Sequence, residues 1–376
     1  MSGSLDVVFL GLSITSSWGN GHATTYRALA RALAAAGHRV LFLERDVPWY
    51  AENRDLAAPP WCDVQLYGGV AELRERFGDR LRAADLAVVG SYVPDGREVA
   101  RLVQELARGI TAFYDIDTPV TMAALARGDC AYLAAELVPG FDLYLSFTGG
   151  PMLRRIEREL GARAARALYC SADPEVHRPA PHPPRWDLGY VGTYSADRQP
   201  ALERLLLEPA RRRGGARFAV AGPQYPADVR WPGNVDRIEH LPPTAHAAFY
   251  AAQRYTLNVT RADMVRAGWS PSVRLFEAAA CGTPVLSDRW PGIDAFFAPG
   301  REILLAASTT EALAILDRLP DQERHAIGER ARRRVLAEHT ATHRAEALVG
   351  FVREARERNA RRRARVRKEI AQGERG

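Results

Sequence analysis

Residues 270–288 read SPSVRLFEAAACGTPVLSD, and this stretch sets the architecture from which the rest of the chain is read. Ser270 and Ser272 precede a helical run over 273–281, Gly282 stops it, and 284–287 reads as a short buried strand. Helix then apolar strand is the alternation of a parallel α/β sheet. Free amides at the helix start, the two hydroxyls, Arg274 and the nearby Arg261 suit a diphosphate. Glu277 stands one turn further along, where a carboxylate accepts two hydrogen bonds from a ribose diol. A purely structural reading makes Ser272 a simple N-cap and Arg274 half of a surface ion pair. It does not suit Glu277, because Phe276, Ala278, Ala279 and Ala280 make the surroundings apolar and an unpaired acid there is costly.

The same alternation extends in both directions. Strand-like runs fall at 188–191, 218–221, 235–241, 255–259 and 303–305 in this half, and at 6–12, 39–43, 86–89, 111–114, 143–147 and 167–170 in the first half. Helical patterns lie between many of them, which predicts parallel sheets covered on both faces. Between the halves, residues 177–186 hold Pro179, Pro181, Pro183 and Pro184, a composition that reads as an extended linker. Helical patterns at 311–319, 322–338 and from 342 onward close the chain.

A chain of 376 residues with 47% hydrophobic and 26% charged residues fits two globular domains rather than a disordered protein. Cys62, Cys130, Cys170 and Cys281 stand far apart, with no C-x-x-C pair, which fits a reducing compartment better than a disulfide scaffold. The first residues carry no signal-peptide pattern, and no apolar run reaches the ~18 residues of a membrane span. The expected location is cytoplasmic. The net charge of +6 is concentrated in an arginine-dense tail from Arg353 to Lys368. Glu354, Glu357 and Glu369 are interspersed and no aromatic follows Phe351, so the tail reads as a solvated helix, not a nucleic-acid site.

Three loops of the first half follow strands. In 13–22, Gly19 and Gly21 allow a tight backbone with exposed amides at the start of the next helix, an anion-binding arrangement. The alternative is a flexible Gly/Ser loop. His22 there is a candidate general base or phosphate ligand. Glu44, ending the second strand, stands about where a dinucleotide-binding fold puts its ribose acid, but Thr24 replaces the third glycine of that fingerprint. In 114–121, Asp115 and Asp117 follow an apolar strand. Residues two apart on an extended chain point the same way, so both carboxylates can face one cleft and act on an acceptor. Alternatively Asp117 or Thr118 caps the next helix, with Pro119 at its head. The third loop, 146–151, is explained by turn geometry alone.

The segment from Arg274 to Val285 resembles the nucleotide-sugar segment of GT-B glycosyltransferases. Together with residues 17–22 (SWGNGH), 44–48 (ERDVP), 114–119 (YDIDTP) and 192–199 (GTYSADRQ), the chain resembles the CgeB-like, spore-maturation-protein-like branch over about residues 5–305. The resemblance implies two Rossmann-like domains facing across a cleft: an acceptor domain over 1–176, the linker, a donor domain over 187–340, and a C-terminal helix with a basic tail over 341–376. It implies that Glu277 holds the donor ribose, and that Ser272 and Arg274 lie near the diphosphate. The loop from Gly192 through Tyr194 to Arg198 approaches the phosphates. Segments 221–224, with Gly222, and 239–241 border the base, and Gly19–His22 faces the reacting sugar. It implies a nucleotide sugar as co-substrate, an acceptor of unidentified class, and no metal or other cofactor. Many retaining members carry an acid eight positions before the glutamate. Here Trp269 stands there, and Asp263 has a different spacing. The rival readings are a nucleotide-sugar epimerase, a dinucleotide oxidoreductase and a non-catalytic nucleotide-sugar binder.

Overall fold

The computed structural model describes residues 3–181 and 183–373. His182 of the proline-rich linker and residues 374–376 of the basic tail lie outside the described residues.

Among the described residues thirteen strands form two sheets, and every strand pair is parallel. The first sheet holds β1 (Asp6–Gly11), β2 (Arg39–Arg45), β3 (Asp63–Tyr67), β4 (Leu86–Gly90), β5 (Ile110–Asp115), β6 (Leu143–Ser146) and β7 (Ala165–Ala167), in the order β3-β2-β1-β4-β5-β6-β7. The second holds β8 (Trp186–Val191), β9 (Phe218–Ala221), β10 (Val235–Ile238), β11 (Gln253–Asn258), β12 (Val285–Ser287) and β13 (Leu304–Leu305), in the order β10-β9-β8-β11-β12-β13. The central strands are apolar runs buried on both faces, such as Leu86–Gly90 and Phe218–Ala221, because helices cover each sheet on both sides. In each sheet the strand order reverses beside its first strand, between β1 and β4 and between β8 and β11. Open α/β sheets bind ligands at the carboxyl ends of the strands at such a switch point.

Two elements differ from the sequence expectation. β3 was not anticipated: it is an edge strand with Asp63 exposed and Val64, Gln65 and Leu66 only half-buried, so no buried run announces it. The last strand of the first sheet falls at Ala165–Ala167 rather than 167–170. It is a short edge strand with a single partner, β6, which sets its register.

The chain crosses between the two sheets twice, and the crossings are bonded together. Ala172 N–H donates to His339 O at 3.1 Å and Ala341 N–H donates to Ala172 O at 2.9 Å. The closing helix, Ala341–Gly373, then returns to the first sheet and packs against the helix Gly21–Ala35. It buries Leu348, Val352 and Ala355. Arg358 Nη2 donates to Asp142 O at 2.7 Å, Asn359 Nδ2 donates to Asp142 Oδ1 at 3.0 Å, and Arg356 pairs with Asp85. Residues 361–367 are exposed, and Arg361 and Arg365 pair with Glu357 and Glu369 of the same helix. Among the described residues no helix is long and apolar enough to cross a membrane.

Leu348→Ala removes a fully buried side chain under this helix and is expected to destabilise the protein by about 2–5 kcal/mol in urea denaturation. Arg362→Ala, on the exposed stretch, is expected to change stability by no more than about 0.5 kcal/mol. Equal effects would contradict the docking of the closing helix described here.

Candidate functional site

A cleft of about 530 Å3 opens at the carboxyl ends of both sheets and is lined from both sides. The first sheet contributes Leu12, Ser17, Gly19–His22, Thr24, Thr25, Tyr92, Ile116, Asp117 and Phe147. The second contributes Val191–Thr193, Arg198, Gly222, Val259–Arg261, Pro271–Arg274 and Glu277, with His240, His246 and Tyr250. The two switch points therefore face each other across one cavity.

Side-chain hydrogen bonds hold the residues around the glycine-bearing loop. The buried Glu44 accepts from Ile14 N–H at 2.7 Å, Thr15 N–H at 3.0 Å, Ser13 Oγ at 3.0 Å and Thr15 Oγ1 at 2.6 Å. Four donors occupy the lone pairs of one carboxylate, so Glu44 holds the loop and is not available to a ribose. Asp55 accepts from Ser17 N–H and Arg27, and Asn20 caps the helix Gly21–Ala35 by accepting from His22 N–H at 3.1 Å. The amide end of that helix faces the cavity.

Asp115 and Asp117 part company. β5 ends at Asp115, so the two-residue alternation does not carry on to Asp117, which lies in the turn beyond at φ −124°, ψ 49°. Asp115 points away from the cleft, correcting the expectation that both acids share it. Its carboxylate accepts from Tyr144 OH at 2.5 Å and Thr121 Oγ1 at 2.7 Å in a buried pocket. Burial, opposed by those two bonds, pushes it up to about 6. Asp117 does line the cleft, and its side chain makes no capping bond. It faces His22, with Nε2 to Oδ2 at 3.6 Å. Burial alone would raise the Asp117 carboxyl; His22, then Arg261 and Arg198, outweigh it and hold it below the usual carboxylate range. The other ring nitrogen of His22, Nδ1, has no partner among the described residues.

On the opposite wall, Ser272 precedes the helix Val273–Ala280, but its hydroxyl does not cap it. It donates to Asn258 Oδ1 at 2.6 Å, which leaves the helix amides open to the cleft. Arg274 is buried rather than a surface ion pair. It donates from Nε to Val191 O at 2.6 Å and from Nη1 to Asn258 Oδ1 at 2.9 Å, and its guanidinium stacks 4.6 Å over the Tyr190 ring. It thus ties the ends of β8 and β11 together at the switch point. Arg198 Nη2 donates to Thr193 O at 2.6 Å, while its Nε has no partner among the described residues. Nor does the Arg261 side chain show a hydrogen-bond or ion-pair partner among them. Gly222 sits at φ +140°, and a Cβ there would lie 2.1 Å from Gly192 O, so only glycine lets these two loops meet.

Glu277 is buried and accepts from Tyr250 OH at 2.9 Å. His177 Nε2 lies 3.5 Å from one carboxylate oxygen and His246 Nδ1 lies 3.6 Å from the other. Burial alone would raise the carboxyl; His177, His246 and Tyr250 outweigh it and hold the group below its ordinary value. Burial in turn lowers His177.

Of the residues singled out from the sequence, Gly19, Gly21, His22, Asp117, Gly192, Arg198, Gly222, Arg261, Ser272, Arg274 and Glu277 line this one cavity. Tyr194 and Ser270 do not. Tyr194 packs on Tyr225, with centroids 5.5 Å apart, and Ser270 Oγ meets Thr148 Oγ1 at 2.9 Å across the two halves. Trp269 serves the same junction. It adopts φ +44°, receives Gly149 N–H on its carbonyl at 3.0 Å, and wedges its ring between Gly150 and Gly292. A Cβ added at either glycine would come within 2.6 Å of that ring. His177, His246, Tyr250 and Asn258 were not picked out from the sequence. Only Asn258, at the end of an apolar strand run, carried a positional signal.

A family model described as "Glycosyl transferase-like" matches residues 198–350. No curated protein matches the sequence. Solved structures resemble the whole fold. Sucrose-phosphate synthase from Thermosynechococcus elongatus superposes with a TM-score of 0.67 at 16% identity, over 93% of this chain and 98% of its own. Anabaena HepE, in complex with UDP and glucose, gives 0.66 at 11% identity, over 93% and 100%. An E. coli structure described as trehalose-6-phosphate bound with UDP-2-fluoro glucose gives 0.63 at 13% identity, over 92% and 98%. The likeness is one of fold: two Rossmann-like domains facing across a cleft, the GT-B arrangement.

Asp115 provides a pH test of the site's frame. Its folded value of about 6 lies above the ordinary 3.8, so the native state holds the proton more tightly than the unfolded chain does. Its contribution is therefore full below about pH 4 and lost as pH rises to about 6, by on the order of 3 kcal/mol. Urea denaturation between pH 4 and 6.5 is expected to show this fall in the wild type and a flatter profile in Asp115→Asn. Parallel profiles would contradict the environment described for Asp115.

Proposed function

We propose that this protein transfers a sugar from a nucleotide-sugar donor to a hydroxyl-bearing acceptor. The observation that carries the reading is the convergence, on one cleft wall, of an ionised buried glutamate with three arginines and an open helix start. Glu277 offers lone pairs to the ribose diol. Arg198 and Arg261 hold unused donors, Arg274 fixes the wall, and the amides at Val273 and Arg274 complete an anion site. The fold neighbours described with UDP or UDP-sugars and the family match over 198–350 support this use of the wall. Glu44 argues against the dinucleotide oxidoreductase, because its carboxylate is already filled by the loop it anchors.

The chemistry follows from the two walls. The acceptor oxygen attacks the anomeric carbon as the bond from that carbon to the leaving diphosphate oxygen breaks. Negative charge grows on the diphosphate, where preorganised cations and amides meet it without rearranging. His22 takes the proton of the acceptor hydroxyl, and Asp117 stabilises the imidazolium that forms. On this reading residues 1–176 serve the acceptor and 187–340 the donor, joined by the linker 177–186, while the closing helix, as far as Asn359, braces the first domain. The donor is a co-substrate, and neither a cofactor nor a nucleic-acid partner is required. The motif set over residues 17–288 supports the CgeB-like branch. A cytoplasmic site, where the four free cysteines stay reduced and nucleotide sugars are at hand, fits best.

A thermal-shift screen with UDP, GDP, dTDP, ADP and NAD is expected to show stabilisation by a nucleoside diphosphate and not by NAD. Glu277→Ala is expected to weaken that nucleotide by about 10–100-fold, the worth of hydrogen bonds to a charged group. His22→Ala should leave nucleotide affinity unchanged and lower kcat by about 10²–10⁴. Stabilisation by NAD alone, or unchanged affinity in Glu277→Ala, would contradict the reading.

A further inference from the structure

His177, His246 and Glu277 reach one point from three separate elements. His177 lies on the crossing segment between the sheets, His246 on the helix Pro243–Ala251, and Glu277 on the helix Val273–Ala280. One ligand atom from each lies within 4.8 Å of the other two. His177 and Glu277 are nearly sealed, with side chains 2% and 3% exposed, while His246 is 15% exposed and lines the cleft. Neither nitrogen of His177 has a hydrogen-bond partner among the described residues, and neither does Nδ1 of His246. A neutral imidazole carries one donor and one acceptor, and leaving both unmet in the interior is costly. The Glu277 carboxylate faces both rings, at distances too long for good hydrogen bonds.

We infer that these three side chains form a binding site for a divalent transition-metal ion, of the zinc class, at the inner end of the cleft. Two imidazoles and one carboxylate are the donor set of zinc, cobalt and nickel, not of magnesium or calcium, which take all-oxygen shells. Tetrahedral coordination at about 2.1 Å sets ligand atoms about 3.4 Å apart. His177 Nε2 lies 3.5 Å from one Glu277 oxygen and His246 Nδ1 lies 3.6 Å from the other, so the carboxylate faces both rings at about that spacing. A separation at the 4.8 Å limit must close by about 1.4 Å, and His246, which lines the cleft, is the ring least enclosed by the protein. The ion would take up one orphaned nitrogen from each ring, His177 Nε2 and His246 Nδ1, together with the Glu277 charge. A fourth position would open to the cleft past His246. The site shares Glu277 with the ribose seat, so metal and nucleotide exclude each other. This last consequence rests on the proposed function; the metal site itself does not.

Isothermal titration of EDTA-treated full-length protein with zinc chloride alone tests the site without any nucleotide. One zinc per chain is expected, with no heat from magnesium chloride. His246→Gln, at a partly exposed helix position, is expected to weaken zinc at least tenfold while leaving the thermal midpoint near wild type. His177→Ala should do the same if it folds. Zinc binding that is absent, not one-to-one, or unchanged in His246→Gln would overturn the site. In a second titration, the nucleoside diphosphate that stabilises the protein is expected to weaken zinc at least tenfold. Simultaneous binding of both would overturn the shared use of Glu277, while the zinc titration still decides the metal site.

Discussion

An ionised carboxylate on an almost wholly apolar helix is the constraint around which the second half of this protein is arranged. Glu277 sits between Phe276 and Ala278 with almost no exposure. A charge in that position is tolerable only where the surrounding structure supplies polar partners. Tyr250 supplies one hydrogen bond, and His177 and His246 flank the two oxygens. Those partners come from two other places in the chain, so the helix Val273–Ala280 must meet the helix Pro243–Ala251 and the crossing segment at one point. The cleft is what remains beside that meeting point.

The first half solves a parallel problem with a different acid. Glu44 spends its whole hydrogen-bonding capacity on the backbone and hydroxyls of residues 13–15. That fixes the loop from which the helix Gly21–Ala35 starts, and so aims its amides, with His22, across at Arg198 and Arg261. Two rigid walls, each with a helix start turned inward, give a site whose positive field is built before any ligand arrives. Trp269 and Ser270 join the walls through Gly149 and Thr148, and the Trp269 ring fills the space between Gly150 and Gly292.

Much of this was legible in the sequence. Buried strands announce themselves as apolar runs, and the central strands of both sheets fell within a residue or two of their observed bounds. Glu277 was legible because an acid among alanines demands an explanation. What was hidden depended on tertiary context. β3 is a half-polar edge strand. Asp115 and Asp117 look equivalent on an extended chain, yet the strand ends between them and sends one into the core and the other into the cleft. Glu44 resembles a ribose ligand until the loop folds over it. His177 is embedded in a proline-rich stretch that reads only as a linker, and nothing in its spacing to His246 and Glu277 suggests that they meet.

The most direct test of the central claim is a crystal structure with the nucleoside diphosphate that stabilises the protein. The account predicts the nucleotide along the second sheet's wall, with its ribose hydroxyls on Glu277 and its diphosphate between Arg198, Arg261 and the start of the helix Val273–Ala280. A nucleotide bound elsewhere, or in this cleft with its ribose away from Glu277, would contradict it.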